Sequence, residues 1–349
     1  MRRMTSALAG LGLMASASAE CAQQKFKSLV QFGDSYTDIA RLDYFIAHNG
    51  SAPPVGWEQP ENNSTSSGGY IWGHYVSEWT GANLYDYAVS GAVCSNKITP
   101  KYFPLLGRNF PSVSEYEVPA FLADSHYITP SGDRFLDIPP DDTVYAMWIG
   151  TNDLGVFLKG KQAQGKTIVD YIDCVYAALD QVYQRGARHF VLMNVIPLQL
   201  APLYATPENG GVGPNPFWPD KPVDRMAAIS YEMWAQVAVA NGLYRLQTPF
   251  EALLADRYPG ASFALMDVHK LVNDIYHNPA GYLDSPANVT GYIKHCNVMG
   301  QSCTSLPNPD SFLWFDTLHP SQRAHQIIAE KFVDVMQGQS EWATYYGEW

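Results

Sequence analysis

Lys27-Ser28-Leu29-Val30-Gln31-Phe32-Gly33-Asp34-Ser35-Tyr36-Thr37-Asp38 decides how the rest of the chain is read. Lys27 to Phe32 reads as a strand, Gly33 permits a tight turn, and Ser35 is placed to open a helix behind it. Four later stretches share the apolar, β-branched and aromatic character: Asn83 to Val89, Thr143 to Ile149, Arg188 to Val195 and Ser262 to Val268. Between the third and fourth strands, Ile168, Ile172, Val175, Leu179 and Val182 recur at steps of four and three, which puts one apolar stripe on a helix ending near Gly186. A second such helix follows Pro320, with Ala324, Ile328, Phe332 and Val335 along one side. Strand followed by helix, repeated, predicts an α/β fold with a mainly parallel five-stranded sheet covered on both faces. Ser51 to Gly69 and Ala201 to Pro222 are rich in Pro, Gly and Asn and are expected as long surface loops near a site.

The 349 residues are 46% hydrophobic and 16% charged, enough to bury a sizeable core and too apolar for general disorder. The formal charge is 22 − 34 = −12, which gives a phosphate-binding surface little support, so nucleic acid is not expected as a partner. Arg2 and Arg3 precede an apolar stretch from Ala7 to Ala15, and Ala17-Ser18-Ala19 supplies the small residues that a signal peptidase selects. That stretch falls far short of the roughly 20 residues a bilayer requires. Residues 1–19 are therefore expected to be a secretory signal, and 20–349 a single exported domain without a membrane anchor. The exported chain carries 20 − 34 = −14.

Export lets disulfides persist. Cys296 and Cys303 lie close together in a Gly, Ser, Asn and Pro-rich stretch and are the preferred pair, Cys174 reads as a buried lone thiol in a helix, and Cys21 and Cys94 remain unassigned. No spacing of Cys, His or acidic residues points to a metal, and no cofactor is expected. Four glycosylation sequons begin at Asn49, Asn62, Asn63 and Asn288.

In a parallel sheet, chemistry gathers at the carboxyl ends of the strands. The first strand runs into Gly33-Asp34-Ser35, the second into Ser90-Gly91-Ala92, and the third into Gly150-Thr151-Asn152-Asp153. Near the carboxyl terminus, Asp316-Thr317-Leu318-His319-Pro320 sets a carboxylate three residues before a histidine, a spacing at which a short turn aims one at the other. Asp34, Asp38 and Asp153 read as helix-start acids, and His325 as a helix residue without a catalytic role.

These four segments, in this order, resemble the blocks of the SGNH or GDSL hydrolase superfamily over nearly the whole exported chain. The resemblance implies a three-layer α/β/α, flavodoxin-like fold and a serine esterase without a cofactor. Carried over residue by residue, Ser35 is the nucleophile, His319 the base and Asp316 its orienting carboxylate, while Gly91 (backbone N–H) and Asn152 (side-chain amide) form the oxyanion hole. Tyr36 stands where the name-giving leucine would be, and Asp86 and Ser90 replace the commoner asparagine and glycine of the second block. Phe32-Gly33-Asp34-Ser35 and Trp314-Phe315-Asp316-Thr317-Leu318-His319-Pro320 bring the chain near the secreted fungal acetylesterases of carbohydrate esterase family 16.

Rival readings exist. Gly160-Lys161-Gln162-Ala163-Gln164-Gly165-Lys166-Thr167 fits the phosphate-cradling G-x-x-x-x-G-K-[ST] pattern, but the strand before it ends near Ile149, too early to feed such a loop. An inactive carbohydrate-binding scaffold is weakened by the presence of all five catalytic groups. Tyr and Trp number 22 + 9 = 31 against 15 Phe, and Trp57, Tyr70 and Trp72 lie in or beside the first long loop. Rings with hydrogen-bonding edges suit an oligosaccharide ester better than a long-chain lipid. Together with the resemblance, this implies as substrate an acylated small molecule or oligosaccharide such as an acetylated xylo-oligosaccharide, with a lipase or phospholipase as the alternative.

Overall fold

The structure is a computed structural model that describes residues 26–349; the expected signal segment and Cys21 lie outside the described residues. All five expected strands form. They are β1 (Ser28–Gly33), β2 (Asn83–Asp86), β3 (Thr143–Trp148), β4 (His189–Met193) and β5 (Ser262–Met266), all parallel. A sixth strand that the sequence did not announce, β6 (Ala343–Tyr346), pairs antiparallel with β5, so the sheet order is β6-β5-β4-β3-β1-β2. Four residues after a helix are too few for a period-two pattern to stand out.

β1 and β3 are buried along their whole length, as befits parallel strands with both faces covered. Side-chain alternation sorts the faces. Phe32 and Tyr145 point toward the helix α3 (Val118–Asp124), where each meets Phe121 edge to face. Trp148 points the other way, toward Trp72 on α2 (Trp72–Thr80) and His325 on α8 (Gln322–Met336). The stripe of Ala324, Ile328, Phe332 and Val335 is buried, with Phe332 against Trp72 at 4.6 Å. The other expected helix runs Ile168–Gln184 (here α5) and begins with a capping box between Thr167 and Asp170.

The topology locates the crevice. From β1 the chain goes to β2 on one side and then crosses to β3 on the other, so the direction of strand order reverses at β1. Ligands bind where such reversals leave the carboxyl ends of neighbouring strands open.

Two cross-links tie the loops around these ends. Cys296–Cys303 forms as expected. Cys174, read from sequence as a lone thiol, is instead bonded to Cys94, because the helix α5 packs beneath the loop that follows β2. With the two cysteines 80 positions apart in the sequence, the chain-entropy contribution of this bond is about 4.5 kcal/mol. The stretch from Ala201 to Pro222 is also more firmly held than a surface loop. Ala201, Leu203, Tyr204 and Ala205 are buried, and the buried Lys221 donates to the carbonyls of Leu203 and Val212. Gly160 to Thr167 follows the helix Thr151–Leu158, not a strand, and Lys166 is paired with Asp170 at 2.7 Å, so the segment is a connecting loop and no phosphate cradle.

Candidate active site

Three strand ends, β2, β1 and β3, bring their following loops together. After β1, Asp34 closes a single turn by accepting the N–H groups of Thr37 and Asp38 at 2.9 Å, and Ser35 sits within that turn. The helix starts later than the sequence suggested, at Arg41 (α1, Arg41–Ala47), where the Asp38 carboxylate takes the N–H groups of Arg41 and Leu42. Ser35 is therefore presented by a turn ahead of the helix. Gly33 is required at the bend: a Cβ there would lie 2.3 Å from the Trp148 carbonyl oxygen of β3.

Ser35, His319 and Asp316 form one hydrogen-bonded chain. His319 Nε2 is 2.9 Å from Ser35 Oγ, and Nδ1 is 2.9 and 3.0 Å from the two Asp316 oxygens. The loop that carries the histidine folds back on itself through Phe315 N–H to the His319 carbonyl, and Asp316 Oδ1 also accepts the N–H groups of Leu318 and His319. One carboxylate thus fixes both the loop and the ring, which leaves Nδ1 protonated and Nε2 free to accept from the serine. Ser35 and His319 are each only 6% exposed.

Tyr36, the departure at the leucine position, has a specific place. Its hydroxyl donates to the Leu318 carbonyl at 2.9 Å, and its ring meets His319 edge-on. A leucine could make neither contact. Removing the hydroxyl in Tyr36→Phe should lower kcat about 3- to 10-fold with KM little changed, since one neutral hydrogen bond worth about 1 kcal/mol holds the histidine loop. Steady-state kinetics on a 4-nitrophenyl ester check this; an unchanged kcat would reduce Tyr36 to a packing residue.

Asn152, in the first turn of the helix after β3, lies beside both other loops. Its Nδ2 donates to the Ala92 carbonyl at 2.8 Å and makes a long 3.3 Å contact to Asp34 Oδ2. The N–H groups of Ser35 and Gly91 meet no acceptor among the described residues. Gly91 is held at φ +87°, where a Cβ would strike the Phe110 ring at 2.4 Å. No motif pointed to Lys101, whose Nζ donates to Asn152 Oδ1 at 2.6 Å and to the Gly91 carbonyl at 3.2 Å.

Of the buried acids Asp34, Asp38 and Asp153, expected at helix starts, only Asp38 caps a helix; Asp34 closes the turn around Ser35, and Asp153 is turned elsewhere. It accepts the Cys94 N–H and the Thr99 hydroxyl, and so fastens the second loop to the third. Burial pushes Asp34 up to about 6 and Asp153 up to about 7, and raises Glu117, Asp38 and Asp86 as well. These acids bind a proton more readily in the folded chain than unfolded, where carboxyls titrate near 4. Their contribution to stability is complete below about pH 4 and is lost as pH rises through 6 to 7. The thermal midpoint should therefore fall between pH 5 and pH 8, and Asp153→Asn should flatten the fall. A midpoint that rises over this range would contradict the assignment.

The rings near the chemistry are not those the sequence suggested. Trp72 is fully buried and bonded to Thr37, Trp57 packs on Tyr44 and Arg41, and Tyr70 stacks on His74. The second long loop instead brings Phe217 to 5.2 Å from the His319 ring. His325 is buried with Nδ1 unpaired among the described residues, and burial first, then His319, lowers it to about 3, so it remains neutral. No group of acids, histidines and cysteines that could hold a metal occurs among the described residues.

The chain is 41% identical over 327 residues to an acetylesterase of Hypocrea jecorina, covering 93% of this chain and 92% of that protein. It is 26% identical to an acetylesterase of Thermothelomyces thermophilus, covering 96% and 97% of the two chains. Among solved structures, an acetylxylan esterase from Geobacillus stearothermophilus is similar with a TM-score of 0.38 and 15% identity, covering 90% of this chain and 96% of that one. Residues 29–332 match the family described as GDSL-like Lipase/Acylhydrolase. The chain belongs to that family and is a carboxylic ester hydrolase.

Proposed function

We propose that this protein is a secreted acetylesterase that removes short acyl groups, chiefly acetyl, from sugar hydroxyls of plant cell-wall oligosaccharides. The observation that carries the chemistry is the unbroken chain from Asp316 through His319, in the loop before the last helix, to Ser35 at the end of β1. His319 Nε2 takes the Ser35 proton as Oγ attacks the ester carbonyl, and Asp316 stabilises the imidazolium that forms. The oxyanion is received by the N–H groups of Ser35 and Gly91 and by Asn152 Nδ2. The sugar alcohol leaves with the proton from His319. Water, activated by the same ring, then releases the acid from the acyl-serine.

The substrate class is supported by the acetylesterase relatives and by the walls near the site. A cavity of about 620 Å³ adjoins the site through Phe110, the ring against Gly91, without containing the catalytic groups, and is lined by Asn49, Asn96, Asn109, Arg108, Ser112 and Glu115 together with Phe45 and Tyr116. Alternating polar groups and aromatic faces suit a sugar better than an alkyl chain.

Export is part of the same proposal: residues 1–19 as a cleaved signal, and 20–349 as one catalytic domain. The disulfides favour an oxidising setting, and no helix among the described residues is long and apolar enough to cross a membrane. Asn49 and Asn63 are exposed, whereas Asn62 donates its amide nitrogen to the Ile39 carbonyl, so glycosylation is expected at Asn63 in that adjacent pair. The substrate is tested by kcat/KM for acetyl, butyryl and octanoyl 4-nitrophenyl esters, followed by acetate release from acetylated xylo-oligosaccharides. Acetyl should be preferred and acetate released. An octanoyl preference, or no acetate from the oligosaccharides, defeats the proposal in favour of a lipase.

A further inference from the structure

We infer that Lys101 is a positioning residue of the oxyanion hole, because its ammonium grips Asn152 Oδ1 and the Gly91 carbonyl and so fixes which end of the Asn152 amide faces the substrate. The inference rests on Asn152 acting as an oxyanion donor. An asparagine amide has two ends of nearly equal size, and only one can stabilise an anion. An ammonium donates and never accepts, so it tolerates only Oδ1 opposite it. The Ala92 carbonyl accepts and never donates, so it tolerates only Nδ2. Two one-way partners on opposite ends therefore exclude the flipped amide, in which Oδ1 would face the developing negative charge. The ammonium also draws electron density toward Oδ1, which makes the Nδ2 hydrogens stronger donors.

The lysine has little freedom to do anything else. Its Nζ stands 4.6 Å over the Phe110 ring, the same ring that closes on Gly91. Burial lowers its pKa to about 8, opposed by Asp34 after β1 and by Asp153 on the helix after β3, and reinforced by Lys159 at the end of that helix. Loss of the Lys101 proton in the alkaline range leaves an amine that can accept as well as donate, so it no longer forbids the turned amide. No motif reveals this residue in the sequence: it follows Pro100 in a loop, and only the approach of that loop to the third strand end gives it a partner.

Lys101→Met keeps the unbranched stem, one atom shorter, and removes the charge. It is expected to lower kcat about 10- to 100-fold with KM within about twofold, less than the 10²- to 10³-fold expected for losing the oxyanion donor itself in Asn152→Ala. The alkaline fall in wild-type kcat near pH 8 should disappear in the variant. The double variant with Asn152→Ala should be no worse than Asn152→Ala alone, since the lysine acts through that amide. Lys101→Gln, judged by the same three readouts, serves if the methionine variant is poorly folded by thermal melting. Lys101 variants with wild-type kcat, or losses that multiply in the double variant, overturn the inference while leaving Asn152 in place. A fully active Asn152→Ala overturns the oxyanion reading, and this inference with it.

Discussion

Ser35→Ala is expected to lower kcat/KM for 4-nitrophenyl acetate by at least about 10⁴-fold while the protein still folds. The hydroxyl is the atom 2.9 Å from His319 Nε2, and no other side chain stands in that place. Without it no acyl-enzyme forms, and only the oxyanion donors and bound water remain to give slow residual turnover. The structural cost is small, because the turn around Ser35 is held by the Asp34 carbonyl and carboxyl groups, which alanine leaves untouched. One lost hydrogen bond costs about 1 kcal/mol. Unchanged circular dichroism with activity absent is the expected pair of results. Activity within a few-fold of wild type would remove Ser35 from the mechanism.

Asp316→Asn should cost nearly as much, about 10⁴-fold in kcat, for a different reason. The carboxylate offers only acceptors to His319 Nδ1, which sets the tautomer, and its negative charge stabilises the imidazolium. An amide in its place can present N–H to Nδ1, which moves the ring proton to Nε2, where it blocks acceptance of the serine proton. Asparagine retains an oxygen for the N–H groups of Leu318 and His319, so the loop survives and the change isolates the charge. Asp316→Ala, which also loses those two bonds, should be destabilised as well as inactive. Rates for Asp316→Asn within a few-fold of wild type would assign the orienting role to another carboxylate.

The inner parallel strands were legible because they are buried on both faces and read as apolar runs between turn residues, whereas β2, at the sheet edge, is partly exposed. Ser35 and Asn152 were legible because a sheet of this kind delivers chemistry at strand ends, and His319 because Asp316 stands three residues before it, a spacing a short turn can close. What the sequence concealed depends on distance in the chain. Cys94 and Cys174 are 80 residues apart and meet only because α5 packs under the second loop. Lys101 gains its role from an asparagine 51 residues away. Tyr36 looked like a lost leucine until the histidine loop, 282 residues later, supplied the carbonyl for its hydroxyl. Trp72 misled in the opposite direction: a ring beside a long loop suggested a sugar platform, but as the first residue of α2 it turns into the core against Phe332. The late start of α1 followed from Asp38, whose carboxylate caps Arg41 and also accepts the Ser90 N–H, a long-range bond that a local pattern does not contain.

The central claim, that Ser35 is the nucleophile activated by His319, is tested most directly by labelling the native protein with a fluorophosphonate and mapping the adduct by mass spectrometry of its peptides. A single adduct on Ser35, lost on prior boiling and absent from His319→Ala, is the expected result. An adduct confined to another residue, or a fully hydrolytic enzyme that takes up no label, would contradict it.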